Sequence, residues 1–232
     1  MKIQNVIKSV GVATIFATML IGCGSTKVVE STTPVSSKHV EREMIDWKGA
    51  SIGSPVPEWV QSAIDGNKSA FTKMPQFENK IVFIAERTGK NLNALKSWTT
   101  NVNISGAFSK SLSDFVIAKF GGEATGSPDE KDEYNSYLQE LTSTFSKMEI
   151  NGMMQEMDYW VKTRIIDKDA KTTEDIYQYI VVYGMGKENF ALQLDRALGK
   201  VEAKNQIQAQ LKADTKSAML EAQVFAESKL GY

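Results

Sequence analysis

Cysteine and histidine, the side chains that most often do nucleophilic, proton-transfer or metal chemistry, each occur once in this chain, as Cys23 and His39. With a single copy of each, triads built on histidine and the commoner zinc sites are out of reach, and no internal disulfide can form. The acid-rich run Asp129-Glu130-Lys131-Asp132-Glu133 reads as a solvated helix start rather than a cation site. Asp167-Lys168-Asp169 starts like a calcium loop, but Thr172 stands where the loop needs glycine and Gln178 where it needs an acid. Gly184-Met185-Gly186-Lys187 has neither the spacing nor the following Ser or Thr of a phosphate loop. Two carboxylates brought together by a fold can do glycoside chemistry, yet no nucleophile or histidine accompanies one. The expectation is therefore a non-enzyme with no cofactor and no metal. Aromatic side chains remain. Those on strands usually pack in cores or across strands, so Trp98 and Trp160 are assigned to the core. Trp47 and Trp59, with Phe225 and Leu230 near the C-terminus, are the candidate interaction surface.

The thiol of Cys23 has a specific context. The chain opens with Lys2 and Lys8 as its only early charges, followed by an apolar run from Val10 to Ile21. That run is shorter than the roughly 20 residues needed to span a bilayer, and a basic start with a short apolar stretch is the pattern of an export signal. It ends Leu20-Ile21-Gly22-Cys23, which resembles the lipobox of bacterial lipoproteins. The resemblance implies cleavage before Cys23, a diacylglyceryl group on its sulfur and a second acylation on its amine. Each buried methylene contributes about 0.8 kcal/mol, so one chain holds marginally and two or three hold firmly. Gly24 rather than Asp follows the cysteine, so the expected destination is the outer membrane.

Lys2 and Lys8 leave with residues 1–22 and no acid does, so Lys and Arg fall from 27 to 25 against 28 Asp and Glu, a net charge of −3. That balance argues against a nucleic-acid binder and against a polybasic membrane patch. Ten Phe, seven Tyr and four Trp supply a real core, so folding should not need disulfides.

These residues must be positioned by elements, and the chain divides as follows. Residues 23–45 read as an acylated, flexible tether, reaching roughly 25 Å as a coil and about 70 Å when drawn out. Residues 46–232 read as one domain. A helix over 55–65, stopped by Gly66, places Trp59, Val60, Ala63 and Ile64 on one face. Residues 80–86 read as a strand buried on both faces, because the apolar run is continuous. A long helix follows from Asn91 to Phe120, with a kink near Ser105-Gly106. Ser127-Pro128-Asp129-Glu130 signals a capped helix start running to Phe145. Asn151-Gly152 predicts a hairpin between strands at 146–150 and 153–166. Residues 167–175 read as a polar loop. Tyr177, Tyr179, Val181, Tyr183 and Met185 alternate down one face of a further strand, with Ile180 and Val182 on the other. A final helix then extends from Gly186 to about Leu230, with Phe190, Leu194, Ala197, Leu198 and Val201 inward. Its distal half is expected either to fold back or to dock on another chain. Strands grouped between runs of helices predict an α+β fold, with about four antiparallel or mixed strands against long helices.

Taken in order, Pro57-Glu58-Trp59-Val60, Ala85-Glu86-Arg87-Thr88-Gly89 before Asn91-Leu92, Asp158-Tyr159-Trp160-Val161 and Tyr177-Gln178-Tyr179-Ile180-Val181 resemble the LPP20-type bacterial lipoproteins. The resemblance spans most of residues 55–200. It implies a small α+β envelope module, in a family that includes flagellum-associated members, and brings no catalytic residues. The expected function is a membrane-anchored structural or adaptor protein, in a flagellar or outer-membrane assembly, with a protein partner or self-association. The alternative is a lipoprotein holding a small apolar ligand between sheet and helices. Cys23→Ser should abolish fatty-acid labelling and membrane retention while leaving the domain folded. Continued incorporation of a fatty-acid probe would show that Cys23 is not the acylated residue.

Overall fold

Two strands with unbroken apolar runs build the centre of the molecule. In the computed structural model, which describes residues 40–67, 69–101 and 103–227, β2 (Lys80–Gly89) pairs antiparallel with β4 (Thr172–Gly186). Ile81, Phe83 and Ala85 point to one side with Tyr179, Val181, Tyr183 and Met185, and Val82 and Ile84 point to the other with Ile180 and Val182. All eleven are buried, so each face of the pair needs a covering layer. The sheet has five strands in the order β1-β3-β4-β2-β5, with β1 at Val40–Trp47, β3 at Met154–Asp167 and β5 at Val224–Ala226. Every pairing is antiparallel except β2 with β5. The fold is α+β with a mixed sheet.

One face is covered by the segment after β1. It contains α1 (Glu58–Ile64), α2 (Ser69–Thr72) and a 3-10 turn at Pro75–Phe77. Val60, Ala63, Phe71 and Phe77 are buried there against Val82, Ile84, Tyr159, Val161, Ile180 and Val182. Gly66, at φ +71°, turns the chain out of the α1 region. The expected helix and its apolar face are present, slightly shorter than read.

The other face carries α3 (Leu92–Asn101), α4 (Ile104–Phe120), α5 (Pro128–Ser146), α6 (Lys187–Leu198) and α7 (Gln206–Glu221). Phe108 is at the heart of this layer, its ring centroid 5.3 Å from Phe83, 5.9 Å from Phe190 and 5.5 Å from Phe225. The long helix expected from Asn91 is two helices. Their break falls just before the expected kink, where the Asn103 side chain accepts a hydrogen bond from the Gly106 amide at 2.9 Å and starts α4 afresh. Val102 lies outside the described residues. The capping box of α5 forms as expected: Ser127 Oγ accepts from the Glu130 amide, and Glu130 accepts from the Ser127 amide at 2.7 Å.

Three expectations are corrected. The segment 146–150 is not a strand. Gly152 does take the left-handed conformation at φ +82°, but its turn joins α5 to β3. Met148 and Ile150 are buried in the helical layer, the Ile150 amide donates to Ser105 Oγ and the Asn151 amide donates to Gln193 Oε1. Backbone groups that a ladder would have used are bonded to helix side chains instead. The polar loop shrinks to four residues between Asp167 and Thr172, because β3 and β4 pair to their very ends. Asp167 Oδ1 there accepts from the amides of Asp169 and Ala170, both at 2.9 Å, which makes it a turn residue and not a calcium ligand set. Finally, the tether ends earlier than expected: residues 40–45 are part of β1, paired with β3.

The long C-terminal helix is also corrected. Helix α6 ends at Leu198, and Val201 is buried, which draws the chain inward. Asn205 caps α7 by accepting from the Gln208 amide, and Leu211, Thr215 and Met219 of α7 are buried. Strand β5 then joins the sheet: the Val82 amide donates to Gln223 O, and the Glu227 amide to Ile84 O. Of the two fates expected for the distal half, the chain folds back. Residues 205–227 are thus core. Truncation after Lys204 should unfold the domain, and Phe225→Ala should cost about 3–5 kcal/mol, read from denaturant midpoints. A truncated chain that melts like the intact one would contradict this packing.

Candidate functional site

Helices cover only part of their side of the sheet. Their main contacts fall on β4, β2 and β5 rather than on β1 and β3. The period-two alternation of strands therefore leaves Asp158, Trp160, Lys162 and Arg164 of β3, beside Tyr177 and Asp175 of β4, on a partly open face. Beyond Tyr177 the strand β4 has lost β2 as a neighbour, so this end of the sheet is β1, β3 and β4 alone.

The open face is ordered by charge and ring contacts. Arg164 grips Asp175 with two bonds, Nε to Oδ1 at 2.8 Å and Nη2 to Oδ2 at 3.1 Å. Lys162 Nζ reaches the same carboxylate at 3.0 Å and sits 5.5 Å over the Tyr177 ring. Trp160 meets Tyr177 edge to face at 5.8 Å. Further in, Tyr179 OH donates to Asp158 Oδ2 at 3.0 Å, and Lys48 Nζ donates to Asp158 Oδ1 and to its carbonyl. At the border with the helices, Arg87 makes a two-bond pair with Glu227, at 2.7 Å each, and its guanidinium lies 4.4 Å from the Trp98 ring. Trp160, Tyr177, Lys162, Arg164 and Asp175 are all half-buried; Trp160 and Tyr177, like Trp98, pack against the edge of the helical core, in line with the core placement expected for Trp98 and Trp160.

The hydrogen bonds from Arg164 and then Lys162 hold the Asp175 carboxyl down at about 2, below its ordinary 3.8. The same carboxylate raises Lys162 and Arg164. Burial, followed by the Asp158 charge, pushes the Tyr179 hydroxyl upward. The charged groups named on this face are paired with one another or with neighbouring side chains. Among the described residues, no group of three His, Cys, Asp or Glu could hold a metal ion, and no helix is long and apolar enough to cross a membrane.

The residues read from sequence as an interaction surface are elsewhere. Trp47 donates from Nε1 to Ser54 O at 2.8 Å and packs on the second core. Trp59 stacks edge-on against Phe71 and Tyr159. Phe225 is 2% exposed, among Phe108, Phe115 and Phe190. All three serve packing, because the layers that cover the sheet draw on exactly these large rings. Leu230, Cys23 and the lipobox residues Leu20, Ile21 and Gly22 lie outside the described residues, as does His39. Sequence reasoning missed Asp158, Lys162, Arg164 and Asp175 as a surface. The signal was the alternation of β3 itself, which puts Tyr159 and Val161 inward and the polar set with Trp160 on the other face. The chain matches no protein-family model, no curated protein and no solved structure.

Because the folded Asp175 carboxyl titrates below its unfolded value, its pairing supports the fold above about pH 4 and is lost as pH falls through about 2. Carbon-detected NMR titration should show Asp175 protonating near pH 2. In a Lys162→Ala/Arg164→Ala variant it should return to the ordinary carboxylate range. An Asp175 that titrates in the ordinary range in the wild type would mean the pairing does not persist in solution.

Proposed function

We propose that the chain is a lipid-anchored protein of the bacterial envelope that acts as an adaptor, docking a partner protein on the open face of β1, β3 and β4. The single observation that carries the docking face is the row Trp160, Tyr177, Lys162, Arg164 and Asp175 on sheet left uncovered by helices. Aromatic and arginine side chains are enriched where proteins bind each other. Their ion pairs and ring contacts hold them in place before a partner arrives, which lowers the ordering cost of association.

The anchor rests on the N-terminal sequence: the basic start, the short apolar run and Leu20-Ile21-Gly22-Cys23. The lipid on Cys23 is the membrane contact, and Gly24 favours the outer membrane. Val40, the first described residue, pairs with Asp167 near the tip of the β3–β4 hairpin. The order of motifs resembling LPP20-type lipoproteins agrees with an envelope module. An apolar ligand between sheet and helices is the less favoured reading, because that space is filled by touching rings of Phe83, Phe108, Phe190 and Phe225.

A photo-crosslinking amino acid placed at Trp160 or Tyr177 in living cells tests the proposal. It should capture one discrete partner protein, while the same group at Lys131, on the exposed start of α5, should capture none. Absence of adducts at both open-face positions, or equal labelling at Lys131, would remove the docking face. A crosslinked dimer of the chain itself would replace the adaptor by self-association.

A further inference from the structure

At the end of the domain opposite the hairpin tip, a cleft of about 500 Å³ opens where α5 and α6 finish beside the turn that leads into β3. That volume lies in the range of small-molecule sites. The cleft is lined by the exposed side chains of Lys147, Arg196 and Lys200, with Glu149 as its one acid, and by Gln193 and Asn151. Hydrogen bonds hold Gln193 in place. Gln193 is 7% exposed; its amide nitrogen donates to Asn151 O and Asn189 Oδ1, and its oxygen accepts from the Asn151 amide.

Cations near helix C-termini often serve only to satisfy the last carbonyls or the helix dipole. Here the carbonyls are already bonded by backbone amides. Those of Lys147 and Met148 close α5 onto Thr144 and Phe145, and those of Gly199, Lys200 and Val201 close α6 onto Asp195, Ala197 and Leu198. Lys212 shows what a side-chain cap looks like in this chain, with Nζ on Val201 O at 2.6 Å. None of Lys147, Arg196 and Lys200 does this. Nor does any of them make an ion pair among the described residues, even with Glu149 in the same cleft.

We propose that this cleft binds a phosphate-bearing anion, held by Lys147, Arg196 and Lys200. Three cations against one acid leave a surplus of two positive charges, which a phosphate monoester matches, a pyrophosphate exceeds and a single carboxylate falls short of. Arg196 offers the planar fork suited to phosphate oxygens, and the lysines act as point charges. Soluble phosphate compounds and phospholipid headgroups share this chemistry. The site is independent of the docking face.

The test uses the full chain purified in uncharged detergent. Calorimetric titration is made with pyrophosphate, and separately with micelles doped with phosphatidic acid, whose headgroup is a phosphate monoester. Saturable binding of either probe is expected, weakening as salt rises. Lys147→Gln/Arg196→Gln should lower the affinity at least about tenfold at unchanged melting temperature, and Lys131→Gln should leave it as it was. Binding of pyrophosphate points to a soluble ligand, and binding of doped micelles alone to a headgroup. Should the double variant melt lower, Lys200→Gln alone carries the comparison. No saturable binding of either probe, or a loss equal in Lys131→Gln, overturns the proposal.

Discussion

The antiparallel pairing of β2 with β4 is the constraint on which the rest of the molecule depends. Both strands are apolar on both faces through their middle, and neither can tolerate water on either side. The chain answers with a layer on each face, one drawn from residues 48–79 and the other from five helices. Phe83 of β2 faces Phe108 of α4, which in turn meets Phe190 of α6 and Phe225 of β5. Segments far apart in sequence are thus held by one cluster of rings. Burying aromatic surface of this size dominates a core's energetics, which explains why the C-terminal segment returns to the sheet instead of extending into solvent.

The same constraint accounts for what is left open. The helical layer is as wide as β4, β2 and β5, whereas β3 and β4 run 14 and 15 residues. The surplus sheet must live with water on its helix side, and it does so with paired charges around two rings. The edge strand β1 is protected by other means. Glu41, Arg42 and Glu43 are exposed along it, and its register slips between Met44 and Asp46. Charges and bulges of this kind discourage an edge from recruiting a foreign strand.

Much of the fold was legible because period and caps are local. The two-faced strand at 81–85, the alternation through Tyr177–Met185 and the Ser127 cap all followed from neighbouring residues. What failed was non-local. Asn151-Gly152 carries a true turn, but its partner groups, Ser105 and Gln193, are far along the chain. Residues 202–227 carry helix-forming composition, yet the buried Val201, the Asn205 cap and the parallel pairing of Val224–Ala226 with β2 divide them. The rings expected at a surface are packed for a related reason. Large apolar rings near chain ends look exposed in sequence, whereas Trp59 and Phe225 are recruited by cores assembled from distant strands. Which charges of β3 lie beside the helical layer rather than under it is set by the extent of that layer, which no local pattern encodes.

The sheet is sealed where β2 and β4 meet, and on the proposed function its half-open β3 face is where a partner docks. Hydroxyl-radical footprinting of the isolated protein and of the same protein in native envelopes tests that claim directly. Trp160 and Tyr177 should oxidise readily in isolation and be protected in envelopes, while Trp59, held by Phe71 and Tyr159, should react alike in both. Equal reactivity of Trp160 and Tyr177 in the two settings would contradict the claim.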